Sequence, residues 1–100
     1  MSRINEVADE SAAQTRRVVI GNRLGLHARA AAKFVEAASG FDCEINVEKS
    51  GQSVSGKSIL GLMMLAAGPG SEIALHAAGA DADAALDALV RLIEERFYED

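Results

Sequence analysis

GLHARAAA, residues 25–32, places a single histidine at the start of a predicted helix. The apolar residues that follow have the spacing of one helical face, at Ala31, Phe34, Val35 and Ala38. Gly40 stands where a helix-ending glycine is expected. Residues 16–20 are strand-like, and residues 22–25 have the composition of a loop. The stretch therefore predicts a strand, a loop and then a helix that begins at His27.

A histidine at this position lies beside an anion site. The first N–H groups of a helix have no intrahelical partner, and the helix dipole is positive there. We therefore expect the amides of Ala28, Arg29 and Ala30 to bind a phosphate group. The helix end and the Arg29 side chain both oppose a positive charge on the ring, which favours a neutral, nucleophilic imidazole. This pattern suggests a histidine that carries a phosphoryl group, although a simple polar cap is the alternative.

The rest of the chain predicts alternating strands and helices. Cys43, Ile45 and Val47 alternate with polar residues, and a hairpin turn at 49–51 leads to a return strand at 52–55. Further elements are a helix over 59–67, a turn at 68–70, a strand over 72–78 and a last helix over 82–97, capped by Asp81. The buried stripe of that last helix is predicted to contain Leu86, Leu89, Val90, Ile93 and Phe97. The order β-α-β-β-α-β-α predicts an α+β fold, a four-stranded antiparallel sheet with three helices on one face.

Size and composition favour one small domain. The chain has 100 residues, a formal net charge of −5 and one cysteine. The acidic balance argues against nucleic-acid binding, and a lone cysteine excludes an internal disulfide and fits a reducing cytoplasm. We expect residues 1–15 to form a flexible extension before a domain at 16–100. This extension has no signal-peptide core, and the sequence has no apolar run of membrane-spanning length.

Residues 58–65 combine a serine with an unusually apolar helix. Ser58 suits the helix N-cap, and residues 59–65 contain no polar side chain. A short surface helix cannot bury every side, so part of it should form an exposed apolar patch of the kind that marks protein interfaces. Leu62 and Leu65 are expected to belong to the core instead.

A nucleotide-binding interpretation competes for this region. GQSVSGKS, residues 51–58, matches the Walker A pattern, and a helix follows it. The first glycine falls in a predicted hairpin turn, however, and no later strand ends in a magnesium-binding aspartate. A small P-loop module is therefore the less favoured hypothesis.

Two blocks resemble a known family. GLHAR followed by Ala-Ala, and GKSILGLMML at 56–65, are similar to the active-site and regulatory segments of HPr, the histidine-containing phosphocarrier family of the bacterial phosphotransferase system. The resemblance covers about residues 16–97. The Asn-x-Leu-Gly-x-His lead-in and the acidic end Phe97-Tyr98-Glu99-Asp100 resemble the nitrogen-related branch. One position departs from the family pattern, since Ala30 replaces a proline.

The resemblance implies an open-faced β-sandwich and a cytoplasmic, monomeric phosphocarrier with no cofactor. Such a protein accepts a phosphoryl group on Nδ1 of His27 from enzyme I and passes it to enzyme IIA proteins, so it is a substrate rather than an enzyme. The resemblance further implies docking through Ile59, Leu60 and Met63, and phosphorylation of Ser58 by a regulatory HPr kinase. The alternative within the family is a regulatory protein whose phosphorylation state is sensed by partners.

The remaining chemically reactive residues are expected to have structural roles. His76 alternates onto the polar face of its strand and is expected to be a solvated surface residue. Cys43 is predicted to be a small core residue. The two histidines lack cysteine or carboxylate partners at metal-ligand spacing, so no metal site is expected.

Overall fold

A computed structural model of the chain describes residues 13–99. The strands are β1 (Ala13–Val19), β2 (Glu44–Lys49), β3 (Gln52–Ser55) and β4 (Glu72–Ala78). The helices are α1 (Ala28–Ala38), α2 (Ile59–Met64) and α3 (Ala82–Glu94), and a short turn at Arg96–Tyr98 follows α3. Across residues 13–99, no helix has the length and apolar character that a membrane crossing requires.

The strands form one antiparallel sheet in the order β1-β4-β2-β3. β4 lies inside the sheet and pairs with both β1 and β2, although it is the last of the four strands in the sequence. Ser50 and Gly51 join β2 to β3 with φ angles of 52° and 83°, the left-handed pair that a two-residue hairpin needs. The predicted element order, antiparallel sheet and return strand at 52–55 are confirmed.

The core lies between the helices and one face of the sheet. Phe34 of α1, Leu62 of α2 and Leu89 of α3 are fully buried, as are Val47 and Leu75 on the facing strands. Alternate residues of the strands point to the other face, which leaves Val19 about half exposed. In the predicted stripe on the last helix, Leu86, Leu89 and Ile93 are buried and Val90 is partly covered.

β1 begins earlier than its hydrophobic pattern predicted. The strand starts at Ala13 instead of Arg16, because Ala13, Gln14 and Thr15 pair with residues 76–78 of β4. Backbone pairing along the full length of β4 extends β1 over residues whose side chains bury little. The predicted flexible extension at 1–15 therefore includes three strand residues, and its remaining positions, 1–12, lie outside the described residues.

α2 ends three residues before the predicted position. Its last residue is Met64, and Ala66 adopts a left-handed φ of 53°. Leu65 and Ala67 are buried, and the Ala67 carbonyl accepts a hydrogen bond from the Leu26 N–H at 3.0 Å. The last turn of the helix tightens, because the Leu65 and Ala66 N–H groups bond to the carbonyls three residues back, and the left-handed Ala66 then turns the chain away from the helix axis.

The last helix differs from prediction at both ends. Asp81 precedes it, but the Asp81 carboxylate accepts from the Asp42 N–H at 2.7 Å and caps no amide of α3. The helix ends at Glu94 instead of Phe97. Residues 96–98 then turn with left-handed backbone angles, which return the fully buried Phe97 to the core.

The segment that matches the Walker A pattern is not a phosphate loop. Its first glycine is in the β-hairpin turn, its middle residues form β3, and β3 pairs antiparallel with β2. Gly56 is buried, and a Cβ there would lie 2.5 Å from Ile45 Cγ2 and 3.2 Å from Phe34 Cε1. Core packing therefore accounts for this glycine, and the nucleotide-binding hypothesis is wrong.

We predict that Gly56→Ala lowers the free energy of unfolding by about 1–3 kcal/mol, the usual cost of overpacking a core. Thermal or urea unfolding measures the change. Gly68→Ala is the matched control, because a Cβ at Gly68 meets no atom within 4 Å. Equal stabilities of the two variants would contradict this account of Gly56.

Candidate phosphoryl-transfer site

The loop before α1 is held against the segment that follows α2. Gly25 has a φ of 68°, and a Cβ at this position would collide with the Ala67 carbonyl and the Gly68 Cα. The Leu26 N–H donates to the Ala67 carbonyl, and the His27 N–H donates to the Gly25 carbonyl at 2.9 Å. This close backbone approach requires glycine, and it fixes where His27 enters the helix.

His27 is the N-cap residue of α1, as the sequence predicted. Its backbone is extended, and its carbonyl accepts the first helical bond from the Ala31 N–H at 2.8 Å. The amides of Ala28, Arg29 and Ala30 precede that bond and have no helical partner. The His27 side chain caps none of them. The geometry therefore leaves three backbone donors in the first turn after His27, in the arrangement that binds anions.

The ring of His27 contacts a carboxylate that the sequence alone did not single out. Nε2 lies 2.9 Å from Oε1 and 3.0 Å from Oε2 of Glu99. Both side chains are mostly buried, with 22% of His27 and 15% of Glu99 exposed. In the sequence, Glu99 is only one member of the acidic segment at 97–100.

Three left-handed residues bring Glu99 to the ring. Arg96, Phe97 and Tyr98 have φ angles of 56°, 55° and 58°. Such a conformation costs roughly 1–2 kcal/mol at each residue other than glycine. The burial of Phe97 and a 2.6 Å hydrogen bond from the Lys33 ammonium to the Phe97 carbonyl offset this strain. We call residues 96–99 the carboxylate turn.

Asn22 links this turn to the loop before α1. Its side chain is fully buried, and Nδ2 donates to the Gly25 carbonyl at 2.9 Å and to Glu99 Oε1 at 3.1 Å. Both partners are acceptors, so the amide orientation is determined by its contacts. Oδ1 has no hydrogen-bond partner within residues 13–99. Asn22 thus holds the loop glycine and the carboxylate at once.

Burial raises the pKa of the Glu99 carboxyl. The hydrogen bonds from His27 and Asn22, together with the Lys33 charge, lower this pKa by a larger amount. The resulting pKa lies below the usual value, so the side chain is a carboxylate at neutral pH. A depressed pKa means that this contact stabilises the fold above the ordinary glutamate range and is lost as the pH falls through the depressed value.

The ionised Glu99 determines the tautomer of His27. A carboxylate only accepts hydrogen bonds, so the nitrogen beside it must carry a proton. The neutral ring therefore has its proton on Nε2 and a lone pair on Nδ1. Nδ1 has no hydrogen-bond partner within the described part of the chain. The nucleophilic atom is thus defined by the contact made at the opposite side of the ring.

The sequence pattern indicated only positive groups near the His27 ring, the helix end and Arg29. Arg29 is exposed, and it forms no side-chain hydrogen bond or ion pair with any residue between 13 and 99. The charged group in contact with the ring is the negative Glu99 instead. Ala30 is fully buried in the first turn, where a proline would remove no helical hydrogen bond.

Ser58 is the N-cap of α2, as predicted, because its Oγ accepts from the Gly61 N–H at 3.0 Å. The exposure pattern of α2 also follows the prediction. Ile59, Leu60 and Met63 are 41%, 68% and 41% exposed, whereas Leu62 and Leu65 are buried. A depression of about 300 Å³ is lined by both His27 and Met63, so the apolar surface of α2 adjoins the histidine.

The other candidate residues lie away from this site. His76 is half exposed and bridges Thr15 Oγ1 at 2.9 Å and Glu48 Oε1 at 3.0 Å, so it is a hydrogen-bonded surface residue. Cys43 precedes β2 and is only partly buried, and burial raises the pKa of its thiol. No group of metal-ligating side chains is present within residues 13–99.

Comparisons with known proteins show the family of this chain. Residues 14–95 match the family described as "PTS HPr component phosphorylation site". The chain belongs to the HPr family. It is 53% identical over 83 residues to a phosphocarrier protein HPr of Pseudomonas aeruginosa, covering 82% of this chain and 92% of that protein. The family members are phosphocarriers rather than enzymes, which supports the same function here.

Two further relatives widen the comparison. A phosphocarrier protein NPr of Shewanella violacea is 50% identical over 84 residues, covering 84% of this chain and 92% of that protein. The crystal structure of an HPr from Thermoanaerobacter tengcongensis superposes with a TM-score of 0.84 at 45% identity, covering 87% of this chain and 98% of that one. The open-faced sheet with three helices is therefore the HPr fold.

Proposed function

We propose that this protein carries a phosphoryl group on Nδ1 of His27, received from enzyme I and passed to enzyme IIA proteins. The observation that carries the proposal is the contact of Glu99 with Nε2, which leaves the Nδ1 lone pair as the nucleophile. The first amides of α1 supply donors for the phosphoryl oxygens. Membership of the HPr family supports the donor and acceptor classes.

The Arg29 side chain also has a role in this proposal. Its guanidinium is exposed two residues after the histidine and is available to a phosphoryl oxygen through a charge-assisted hydrogen bond. The site is partly open to solvent, so that its hold on the phosphoryl group stays weak enough for onward transfer. A carrier needs such reversibility because each partner must remove or add the same group.

The proposed docking surface consists of Ile59, Leu60 and Met63. These side chains are exposed and apolar, and Met63 lines the depression that also contains His27. An exposed apolar centre near charged residues is the usual anatomy of a binding hot spot. Both enzyme I and the acceptor would use this surface, since each must reach the same ring.

Ser58 is proposed as a regulatory phosphorylation site. It begins the helix that carries the docking surface, and a phosphate there would add about −1.5 to −2 charges at a helix N-terminus, where it is tolerated. The same charge would oppose an acidic partner at the docking surface. An HPr kinase is the enzyme class that this role requires.

A regulatory role is the second candidate function. Under either function we propose a cytoplasmic protein that acts as a monomer. The NPr relative at 50% identity favours it. In this case the phosphorylation state of His27 would be sensed by partners, and the phosphotransfer chemistry would be the same.

We predict that His27→Ala folds normally and accepts no phosphate from enzyme I and phosphoenolpyruvate. The fold should persist because the side chain caps no amide of α1. His76→Ala is the control and should accept phosphate at the wild-type rate. Acid-labile phosphate on the His27→Ala protein would show that another residue is the carrier.

We expect Leu60→Glu to weaken binding to enzyme I roughly 10- to 100-fold, as loss of a hot-spot residue does. Calorimetric titration measures the affinity. Val19→Glu provides the control, because Val19 is exposed on the opposite face of the sheet. If both variants bind as the wild type does, the docking surface lies elsewhere.

Ser58→Asp should slow phosphotransfer to His27 and leave stability nearly unchanged, because aspartate is also a good N-cap. Transfer rates at low salt and thermal unfolding are the measurements. Ser50→Asp, in the exposed hairpin turn, adds the same charge and should have no effect. Unchanged transfer in the Ser58 variant would argue against the regulatory role.

A further inference from the structure

The carboxylate turn is built around one side-chain contact. Three consecutive left-handed residues precede Glu99. The turn is held by the burial of Phe97 and by two side chains from the elements on either side of His27. Lys33, on α1, holds the Phe97 carbonyl, and Asn22, in the preceding loop, holds Glu99 Oε1. Backbone strain that is stabilised in this way is often found where a functional group must be positioned.

Burial of Phe97 alone does not account for the position of Glu99. A phenylalanine can fill the core while the next residues point to solvent, as Tyr98 does with 68% of its surface exposed. Glu99 instead turns inward, and both of its oxygens lie within 3.0 Å of the ring nitrogen. The fully buried Asn22 amide gives one of these oxygens a second donor, which fixes the orientation of the carboxylate.

We infer that Glu99 is a positioning residue for phosphotransfer, acting through His27 by holding the Nε2 proton so that Nδ1 faces the incoming phosphoryl group. This inference rests on the proposed carrier function. Glu99 does not touch the phosphorus. Its effects are to select one tautomer, to restrict rotation of the ring and to place a negative charge beside the nitrogen that does not react.

The transfer step follows from this arrangement. The Nδ1 lone pair forms the new N–P bond, while the bond between phosphorus and the donor atom of phosphorylated enzyme I breaks and its electron pair returns to the donor. Nε2 keeps its proton throughout, so the phosphorylated ring is an imidazolium whose positive charge lies against the Glu99 carboxylate. In onward transfer the N–P electron pair returns to Nδ1 and the ring becomes neutral again.

The carboxylate therefore interacts more strongly with the charged ring than with the neutral ring. Charge develops on the imidazole as the N–P bond forms, and a fixed opposite charge in a partly buried site stabilises that change. A neutral amide at position 99 would keep the size of the side chain and lose this effect.

The test compares Glu99→Gln with Glu95→Gln. Glu95 is exposed at the end of α3, so its variant removes the same charge without touching the ring. Rapid-quench transfer of labelled phosphate from enzyme I, over a range of enzyme I concentrations, separates binding from the transfer step. We expect Glu99→Gln to lower the maximal transfer rate roughly tenfold or more with little change in the half-saturating concentration, from the usual strength of a hydrogen bond to a charged group.

A spectroscopic measurement excludes a merely structural role. In wild-type protein with ¹⁵N-labelled histidine, the neutral ring of His27 should have its proton on Nε2, and Glu99→Gln should shift the population towards the other tautomer. Glu95→Gln should match the wild type in both rate and tautomer. A wild-type ring protonated mainly on Nδ1, or equal maximal rates in all three proteins, would overturn the inference.

Failure of the carrier proposal would give a different result. In that case wild-type protein would take no phosphate from enzyme I, or His27→Ala would take it as well as the wild type. If wild-type protein is phosphorylated on His27 and the Glu99→Gln rate is unchanged, the carrier function stands and only the role of Glu99 is wrong.

Discussion

The hydrogen bonds between Glu99 and Nε2 of His27 connect two parts of the chain that lie 72 residues apart. They join the loop before α1 to the turn after α3, across the same core that the helices and sheet bury. Asn22 contributes to both sides of this junction, and Lys33 anchors it from the second turn of α1. Because a carboxylate accepts only, this junction also assigns the proton of the ring. The tertiary contact of Glu99 thereby leaves the lone pair of the neutral ring on Nδ1.

A second constraint acts on the backbone before the histidine. Gly25 approaches the Ala67 carbonyl so closely that no side chain fits, and Leu26 bonds to the same carbonyl. The contact lies just after α2, whose Met63 lines the same depression as His27. One glycine therefore connects the nucleophile to the surface that we propose for docking. In this way His27 and the surface that we propose for docking lie side by side.

The sequence predicted much of the architecture because local patterns determine it. Alternation in β2 and β4, the Ser50-Gly51 turn and the serine before α2 each have a short-range physical cause, and the structure confirms them. The position of His27 at the start of α1 was predictable for the same reason. The start of β1 was not, because Ala13 to Thr15 are ordered by pairing with β4 rather than by their own side chains.

Glu99 is the site residue that could not be predicted from the sequence. Its position depends on three left-handed residues, Arg96 to Tyr98, none of which is a glycine or an asparagine that would indicate such a turn. The anchors of the turn, Lys33 and Asn22, are distant in sequence, and no local pattern in α1 or in the loop before it indicates a partner near residue 99. The apolar character of Phe97 predicted that it is buried, but as part of the last helix and not of a turn after it.

The most direct test of this account is to identify the phosphorylated atom. Protein labelled with ¹⁵N in histidine should be phosphorylated by enzyme I and phosphoenolpyruvate, and phosphorus–nitrogen couplings then measured by NMR. The account predicts one phosphoryl group, bonded to Nδ1 of His27, with a proton retained on Nε2. A phosphoryl group on Nε2 of His27 would contradict it, because that nitrogen is the one that Glu99 occupies.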